Sequence, residues 1–313
     1  MADATDSKSV GGNPMRVRLS PRALRVPVVS LQSFLLLTYG LSWALLAPWL
    51  YLYKVTFAGS PPTWLWMLAP LAYIGGCSPS VAAIILAARS RDPQALRTLV
   101  SPVLAWRVPA RWFAVALLVP PLATAASVMI ADHGVGPFRH FNLGAVLIAA
   151  PSIYALAVPF GPLGEELGWR GVALPHLLTR LHAWQASLIL AVLWTLWHVP
   201  QMLLLPGASI PSFMPLSATS VALYFVQMSG ITALVTLVFL RTNGSLLLAI
   251  LTHLAFNTAE NVVYAGLPAL TVDQQRSVYL VNVWVLAAIG WVSLIWLTRR
   301  QTNPPGASVI HDR

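Results

Sequence analysis

The stretch LLLAILTHLAFNTAEN, residues 246–261, is typical of a membrane-spanning helix that carries a polar stripe. In a helix, His253, Asn257 and Glu260 fall on one face, because their spacings are four and three residues. A polar face on an apolar span must contact protein or water rather than lipid. The stretch therefore predicts a helix inside a bundle, where its polar face is either part of a functional site or a set of interhelical hydrogen bonds.

The rest of the chain is similarly apolar. Of its 313 residues 57% are hydrophobic and 9% are charged, which is typical of a multi-pass membrane protein rather than a soluble domain. We predict an all-α polytopic bundle of about eight transmembrane helices, each roughly 20 residues long. Their expected ranges are about 27–52, 62–87, 112–131, 142–160, 184–205, 218–240, 245–265 and 277–298. The single cysteine provides no disulfide framework.

The net charge of +10 has an uneven distribution along the chain. With the N-terminus in the cytoplasm, all but three of the 19 Lys and Arg residues fall in cytoplasmic segments, the exceptions being Lys54, Arg139 and Arg276. This pattern predicts a cell-membrane protein with both termini cytoplasmic. The charge therefore indicates orientation rather than nucleic-acid binding. Arginines within residues 89–112 are expected to contact anionic lipid head groups.

The chain is expected to form a single membrane domain over residues 26–298. Residues 1–25 are polar and basic and lack the apolar run of a signal peptide, so they predict a disordered tail. Residues 299–313 are expected to form a cytoplasmic tail. No internal repeat divides the chain.

The stretch GPLGEELGWRGVAL, residues 161–174, places Glu165, Glu166 and Arg170 in this apolar chain. An ionisable side chain in a bilayer costs about 2.5–3.5 kcal/mol, so it indicates a functional site. On a helix, Glu166 and Arg170 are four residues apart and can pair, whereas Glu165 is turned about 100° away. The arrangement suits a carboxylate that accepts a proton. The alternative is a helix end at the membrane surface, with its charges among lipid head groups.

A histidine in WTLWHVPQ, residues 194–201, adds a polar group to the fifth predicted span. His198 alone could be a packed, hydrogen-bonded core residue. Together with the other polar groups it supports hydrolysis, since Glu165 and His198 could deprotonate a water while His253 and Asn257 donate hydrogen bonds to an oxyanion. A peptide bond is the obvious target. The same groups could instead bind a divalent metal such as zinc through two histidines and one or two glutamates.

Three short motifs occur in order on successive predicted helices. They are EExxxR at 165–170, an aromatic residue followed by xxxH at 194–198, and HxxxN at 253–257. This set resembles the CPBP family of intramembrane proteases, which includes the type II CAAX prenyl proteases, the bacteriocin-processing enzymes and the Abi proteins. The resemblance covers about residues 142–265. One departure is Trp194, where the family motif has Phe.

The resemblance implies a helical core with a conical cavity open to the cytosolic side, and an endopeptidase that cleaves a membrane-associated, prenylated or lipidated protein or peptide. By carry-over, Glu165 and His198 would activate the attacking water, and His253 and Asn257 would form the oxyanion hole. The second glutamate and the arginine of the first motif would brace it.

No metal cofactor is expected from the resemblance, although members have been described as metalloproteases and zinc is the alternative. Glu260 has no counterpart in the three motifs. Together with Trp194 it is expected to line the substrate cavity. The sequence specifies neither a substrate nor an oligomeric state.

Two further functions are compatible with these residues. A catalytically silent member of the family could act as a membrane scaffold or a bacteriocin-immunity protein. A small transporter could relay protons through the buried glutamates, although residues 1–140 hold no matching glutamate motif. Other intramembrane proteases are disfavoured, because HExxH and GxGD are absent. The nearest rhomboid-like sequence is Gln227–Gly230, in which Ser229 is expected to be a packing residue.

The predicted helix boundaries create one geometric difficulty. At about 1.5 Å per residue from residue 184, His198 would lie about 21 Å deep, whereas Glu165 would lie near the cytoplasmic end of the fourth span. For both to act on one water, either the fourth helix continues through Glu165 at a steep tilt or the fifth begins later. Pro159 and Pro162 would allow a kink just before the motif.

Overall fold

The computed structural model describes residues 29–56, 62–159, 161–205, 207 and 209–302. Within these ranges the secondary structure is helical and contains no β-strand. The predicted N-terminal tail and residues 303–313 lie outside the described residues. The last helix continues through Thr302, so it includes the first four residues of the predicted C-terminal tail.

Within the described residues, ten helical segments build the bundle and follow one another along the chain. They are α1 (Leu31–Thr56), α2 (Ala69–Gly76), α3 (Ser78–Ala88), α4 (Ala110–Ala131), α5 (Leu143–Ala157), α6 (Pro162–Leu178), α7 (Ala183–Leu204), α8 (Ala218–Arg241), α9 (Leu246–Ala265) and α10 (Val272–Thr302). Further helical segments connect them at Thr63–Met67, Ala95–Leu104 and Gly136–His140.

In the described part of the chain, six helices are long and apolar enough to cross a membrane. The count rises to eight if each of the bent pairs α2–α3 and α5–α6 forms one span. The predicted third, fifth, sixth and seventh spans agree with α4, α7, α8 and α9 to within two residues at each end. The chain is a multi-pass membrane protein with an all-α fold, as predicted.

Two of the predicted spans are broken. α2 and α3 meet at an angle of 78° at Cys77, just before Pro79 in the first turn of α3. α5 and α6 are bent by 52°. The fourth span was predicted to end at residue 160, whereas the second helix of the observed pair, α6, continues to Leu178. Glu165 therefore lies in a bent helical limb rather than at the end of a straight span.

Two glycines of α6 allow it to lie directly against α3. A methyl group built on Gly164 would lie 2.5 Å from Cys77 Sγ, and one on Gly168 would lie 2.5 Å from the Pro79 backbone. Small residues four apart allow such close approach of membrane helices. Ser80 Oγ also donates a hydrogen bond to the Leu163 carbonyl at 2.9 Å. These contacts fix the helix that carries the two glutamates.

A second close contact joins α8 and α10. A methyl group on Gly230 would lie 2.6 Å from the Ala287 backbone. Beside it, Trp291 Nε1 donates to Ser229 Oγ at 3.1 Å. The prediction that Ser229 is a packing residue is therefore confirmed, because its hydroxyl is engaged at this helix interface.

Candidate active site

The second glutamate of the EExxxR motif lies at the centre of a buried ion-pair network. Arg170 Nη1 donates to Glu166 Oε1 at 2.8 Å, and His253 Nδ1 lies 2.8 Å from the same oxygen. Glu166 and Arg170 are 0% exposed and His253 is 2% exposed. The Glu166–Arg170 pair predicted from spacing is confirmed. The alternative of a helix end among lipid head groups is wrong, since these charges are inside the protein.

Local helix geometry helps to direct this network inward. Arg170 lies in a π-helical turn, Trp169–Ala173, inside α6. Such wider turns are rare and occur frequently at functional sites, because they rotate the side chains that follow. His253 comes from α9, 87 residues further along the chain. The ion-pair network therefore ties the first motif to the third.

The first glutamate faces a different partner. Trp194 Nε1 donates to Glu165 Oε2 at 2.6 Å, and the glutamate is only 5% exposed. The Arg170 Cζ atom lies 4.6 Å from the centre of the Trp194 ring system. The His253 ring meets the same indole edge-on, with centroids 4.9 Å apart. Trp194 was predicted to line the substrate cavity, but its contacts to these three side chains were not foreseen.

His198 is held by a break in α7. Its backbone N–H donates to the Thr195 carbonyl, and Pro200 follows in the next short helical segment. The Trp194 carbonyl is accordingly free to accept from His198 Nδ1 at 2.8 Å. A carbonyl only accepts, so Nδ1 is the donor and Nε2 carries the free lone pair of the neutral ring. The Trp197 ring packs against the imidazole edge-on, with centroids 4.7 Å apart.

A glycine marks the point where Glu165 and Asn257 approach each other. Gly161 has a φ of 115°, in the region that favours glycine, and Pro162 begins α6 immediately after it. A methyl group built on Gly161 would lie 3.1 Å from Asn257 Nδ2 and 3.4 Å from Glu165 Oε1. The free carboxylate oxygen and the side-chain amide therefore converge on one small region.

These side chains open into one cavity of about 790 Å³. The six predicted site residues that line it are Glu165, Trp194, His198, His253, Asn257 and Glu260. Glu166 and Arg170 are not in its lining and lie behind it, fully buried. The cavity therefore brings the proposed catalytic residues together and separates them from the ion pair predicted to support them.

Other parts of the cavity wall come from helices outside the three motifs. They include Leu46, Trp49 and Leu50 of α1, Tyr73 and Gly76 of α2, and Tyr279 and Asn282 of α10. The sequence analysis missed the α10 residues. The sequence signal that could have indicated α10 is Asn282, a polar residue in an apolar span. Its Oδ1 accepts a hydrogen bond from Ser127 Oγ at 3.2 Å.

Glu165 and His198 line the same cavity, despite the difference in depth that the predicted helix boundaries implied. α7 begins at Ala183, close to the predicted start, so the fifth helix is not displaced. Instead, the bend before α6 turns Glu165 towards α7, where it meets Trp194 one helical turn before His198. The break in the fourth span therefore explains how Glu165 reaches the helix that carries His198.

The possible metal-binding side chains of the site are partly engaged with other residues. Among the residues that the structure describes, no three His, Cys, Asp or Glu side chains are grouped to hold a metal ion. His253 Nδ1 and the Arg170 guanidinium already share Glu166 Oε1.

The motif-bearing part of the chain is similar to a known protein family. Residues 147–259 match the family model for type II CAAX prenyl endopeptidases, described as Rce1-like. Over this segment, about a third of its length, the chain is similar to that family. The match includes all three motifs of this Rce1-like segment, while Glu260 lies one residue beyond it.

A curated relative carries the name CAAX prenyl protease 2 and comes from Methanococcus maripaludis. It is 28% identical over 99 residues, which cover 32% of this chain and 36% of that protein. The matched region thus spans about a third of the length of the relative. Both comparisons support a CAAX-type protease at the level of the family.

Proposed function

We propose that this chain is an intramembrane endopeptidase that hydrolyses a peptide bond of a membrane-associated protein or peptide. The observation that carries the proposal is the single cavity into which Glu165, His198, His253 and Asn257 all open. These residues supply the two functions that amide hydrolysis needs, namely a base for water and donors for an oxyanion.

Water activation is assigned to Glu165 and His198. Glu165 Oε2 accepts from Trp194, so Oε1 is the oxygen available to a water near Gly161. His198 Nδ1 is engaged with a backbone carbonyl, which leaves Nε2 to accept a second hydrogen bond from that water. Glu165 takes the proton as the water oxygen attacks the carbonyl carbon. General base catalysis of this kind contributes about 10²–10⁴-fold to the rate.

Oxyanion stabilisation is assigned to His253 and Asn257. When the carbonyl carbon becomes tetrahedral, its oxygen gains negative charge and can accept from Asn257 Nδ2 and His253 Nε2. His253 Nδ1 faces the carboxylate of Glu166, so donation from both ring nitrogens requires a doubly protonated imidazole. Glu166 would offset the positive charge of that ring. Collapse of the intermediate breaks the C–N bond and passes the proton on Glu165 to the leaving nitrogen, giving a carboxylic acid and an amine. The acid then loses its proton to leave a carboxylate and an ammonium group.

The substrate is proposed to be a prenylated or otherwise lipidated peptide or protein. The apolar residues of α1 in the cavity wall, such as Leu46 and Leu50, suit a hydrocarbon chain. Membrane lipids are the surrounding partners, and no nucleic-acid partner is proposed. No metal cofactor is proposed either. A chelator is expected to leave cleavage unchanged, and inhibition that Zn²⁺ reverses would contradict this part of the proposal.

The proposed orientation puts both termini in the cytoplasm of a cell-membrane protein. The basic segment around Arg91 and the loop at Arg139 should then lie on opposite sides. In a Cys77→Ala background, an impermeant maleimide is expected to label Arg139→Cys in intact cells and Arg91→Cys only after lysis. The reverse labelling pattern would contradict the orientation.

The decisive experiment compares protein N-termini in membranes from cells that carry the wild-type chain or Glu165→Gln. We expect at least one cleavage to disappear in the variant and in His198→Ala. Asp92→Asn, an equally small change in an exposed loop, serves as the matched control and should retain the cleavage. A phenotype that survives both site changes, with no lost cleavage, would favour the silent scaffold or immunity protein. Proton-coupled uptake in proteoliposomes would instead favour the transporter.

A further inference from the structure

We propose that the indole N–H of Trp194 orients the carboxylate of Glu165 and so sets which of its oxygens meets the attacking water. Trp194 is thus a positioning residue of this chain rather than a substrate contact alone. The inference rests on the proposed function, because it concerns the base of that reaction. It arises at the one position where the second motif departs from the family pattern.

The first observation is the hydrogen bond itself. Trp194 Nε1 lies 2.6 Å from Glu165 Oε2, and the two residues are 1% and 5% exposed. Among the described residues no other group donates a hydrogen bond to the Glu165 carboxylate. A phenylalanine at position 194 would keep an aromatic ring but has no N–H to donate. In this chain, the orientation of the carboxylate therefore depends on the indole.

The second observation is that the indole is itself held in place. The Arg170 guanidinium packs over its face at 4.6 Å, and the His253 ring meets it edge-on at 4.9 Å. Those two side chains are joined through Glu166. The donor therefore belongs to a ring that cannot turn without disturbing the buried ion pair. A fixed donor restricts the carboxylate more than a mobile one does.

The third observation concerns the other oxygen of the carboxylate. With Oε2 bound to the indole, Glu165 Oε1 lies on the side of Gly161 and Asn257, where a peptide carbonyl would be placed. The carbonyl of Trp194 accepts from His198 Nδ1 as well. One residue thus contacts both groups assigned to the water, through its side chain and its backbone respectively. A substitution of the side chain alone isolates the first of these contacts.

The chain provides a matched control in Trp169. This tryptophan is also fully buried, but its Nε1 has no hydrogen-bond partner among the described residues. Trp169→Phe removes an indole N–H that has no partner, and it removes the same ring volume as Trp194→Phe does. Any effect that comes only from lost volume in the core should therefore appear in both variants.

The test measures kcat and KM of purified protein in proteoliposomes, on the peptide whose cleavage disappears with Glu165→Gln. Trp194→Phe is expected to lower kcat about 10- to 100-fold with KM changed less than about threefold, since a misplaced catalytic group can cost about 100-fold. Trp169→Phe should stay within about threefold of wild type. Replacement of Trp194 by benzothienylalanine, which has the shape of tryptophan without the N–H, should reproduce the loss without a fall in thermal stability.

Three outcomes would overturn the inference. If both Trp194 variants keep the wild-type kcat while Glu165→Gln abolishes cleavage, the N–H is not needed and the proposed function stands. Full activity of the benzothienylalanine protein alone would assign the effect of Trp194→Phe to packing. Persistent cleavage with Glu165→Gln would instead overturn the proposed function itself, and this inference with it.

Discussion

His253 Nδ1 lies 2.8 Å from Glu166 Oε1, although 87 positions separate the two residues in the chain. This contact joins α9 to α6 inside the bundle, and the same oxygen accepts from Arg170. Because all three side chains are buried, none can exchange its partner for bulk water. The first and third motifs are therefore coupled in both structure and charge.

The first prediction concerns this coupling. Glu166→Gln should destabilise the protein by about 3–5 kcal/mol, because it leaves the Arg170 guanidinium buried without its counter-charge. The measurement is thermal or denaturant unfolding in detergent. The double variant Glu166→Gln with Arg170→Met should recover part of this loss. A free energy of unfolding for Glu166→Gln within about 1 kcal/mol of the wild-type value would contradict the prediction.

The second prediction concerns the oxyanion hole. Asn257→Ala should lower kcat by about 10²–10³-fold, because it removes one donor that acts on the charge of the transition state. KM should change only a few-fold. The measurement uses the same peptide in proteoliposomes, and unfolding curves serve to check that the variant remains folded. A fall in kcat of less than threefold would remove Asn257 from this role.

The third prediction concerns the backbone at Gly161. Gly161→Ala should reduce kcat and stability together, because its φ of 115° is strained for alanine and its methyl group would lie 3.1 Å from Asn257 Nδ2. The strain should cost about 1–3 kcal/mol in unfolding measurements. Gly40→Ala is the control, since nothing lies within 4 Å of a methyl group there. Equal behaviour of the two variants would argue against a special role for Gly161.

The fourth prediction concerns the contact between α6 and α3. Gly168→Ala should lower the melting temperature strongly, because its methyl group would lie 2.5 Å from the Pro79 backbone. Gly171→Ala should have a smaller effect, since its nearest neighbour, at 3.1 Å, is the end of the flexible Leu99 side chain. Thermal unfolding of both variants in the same detergent tests the difference. A smaller fall in melting temperature for Gly168→Ala than for Gly171→Ala would show that this contact can open.

The apolar runs were enough to predict most of the helices, because a bilayer core demands about 20 apolar residues for each crossing. The breaks at Cys77 and before Gly161 were harder to predict. Proline and glycine allow a break, but packing against neighbouring helices determines whether the helix bends there. In the fourth span, Pro159 and Pro162 predicted the position of a kink, whereas the continuation of the chain as a helical limb to Leu178 was not predicted.

Spacing along a helix gave the Glu166–Arg170 pair, since residues four apart share a face. It could not give the contact of Glu166 with His253, which depends on how two distant helices pack. The Trp194 bond to Glu165 had a sequence signal, namely a tryptophan where the motif has phenylalanine. The two rings are similar in size, and the motif alone does not indicate which partner the additional N–H of the indole would find.

The cavity is a composite of two kinds of wall. The groups assigned to hydrolysis come from α6, α7 and α9 within residues 147–259, whereas α1, α2 and α10 contribute residues outside that range. Substitutions in the outer helices can therefore reshape the chamber without disturbing the buried ion pair. Evolution could retarget such a protein by changing one set of helices while the chemical apparatus is inherited intact.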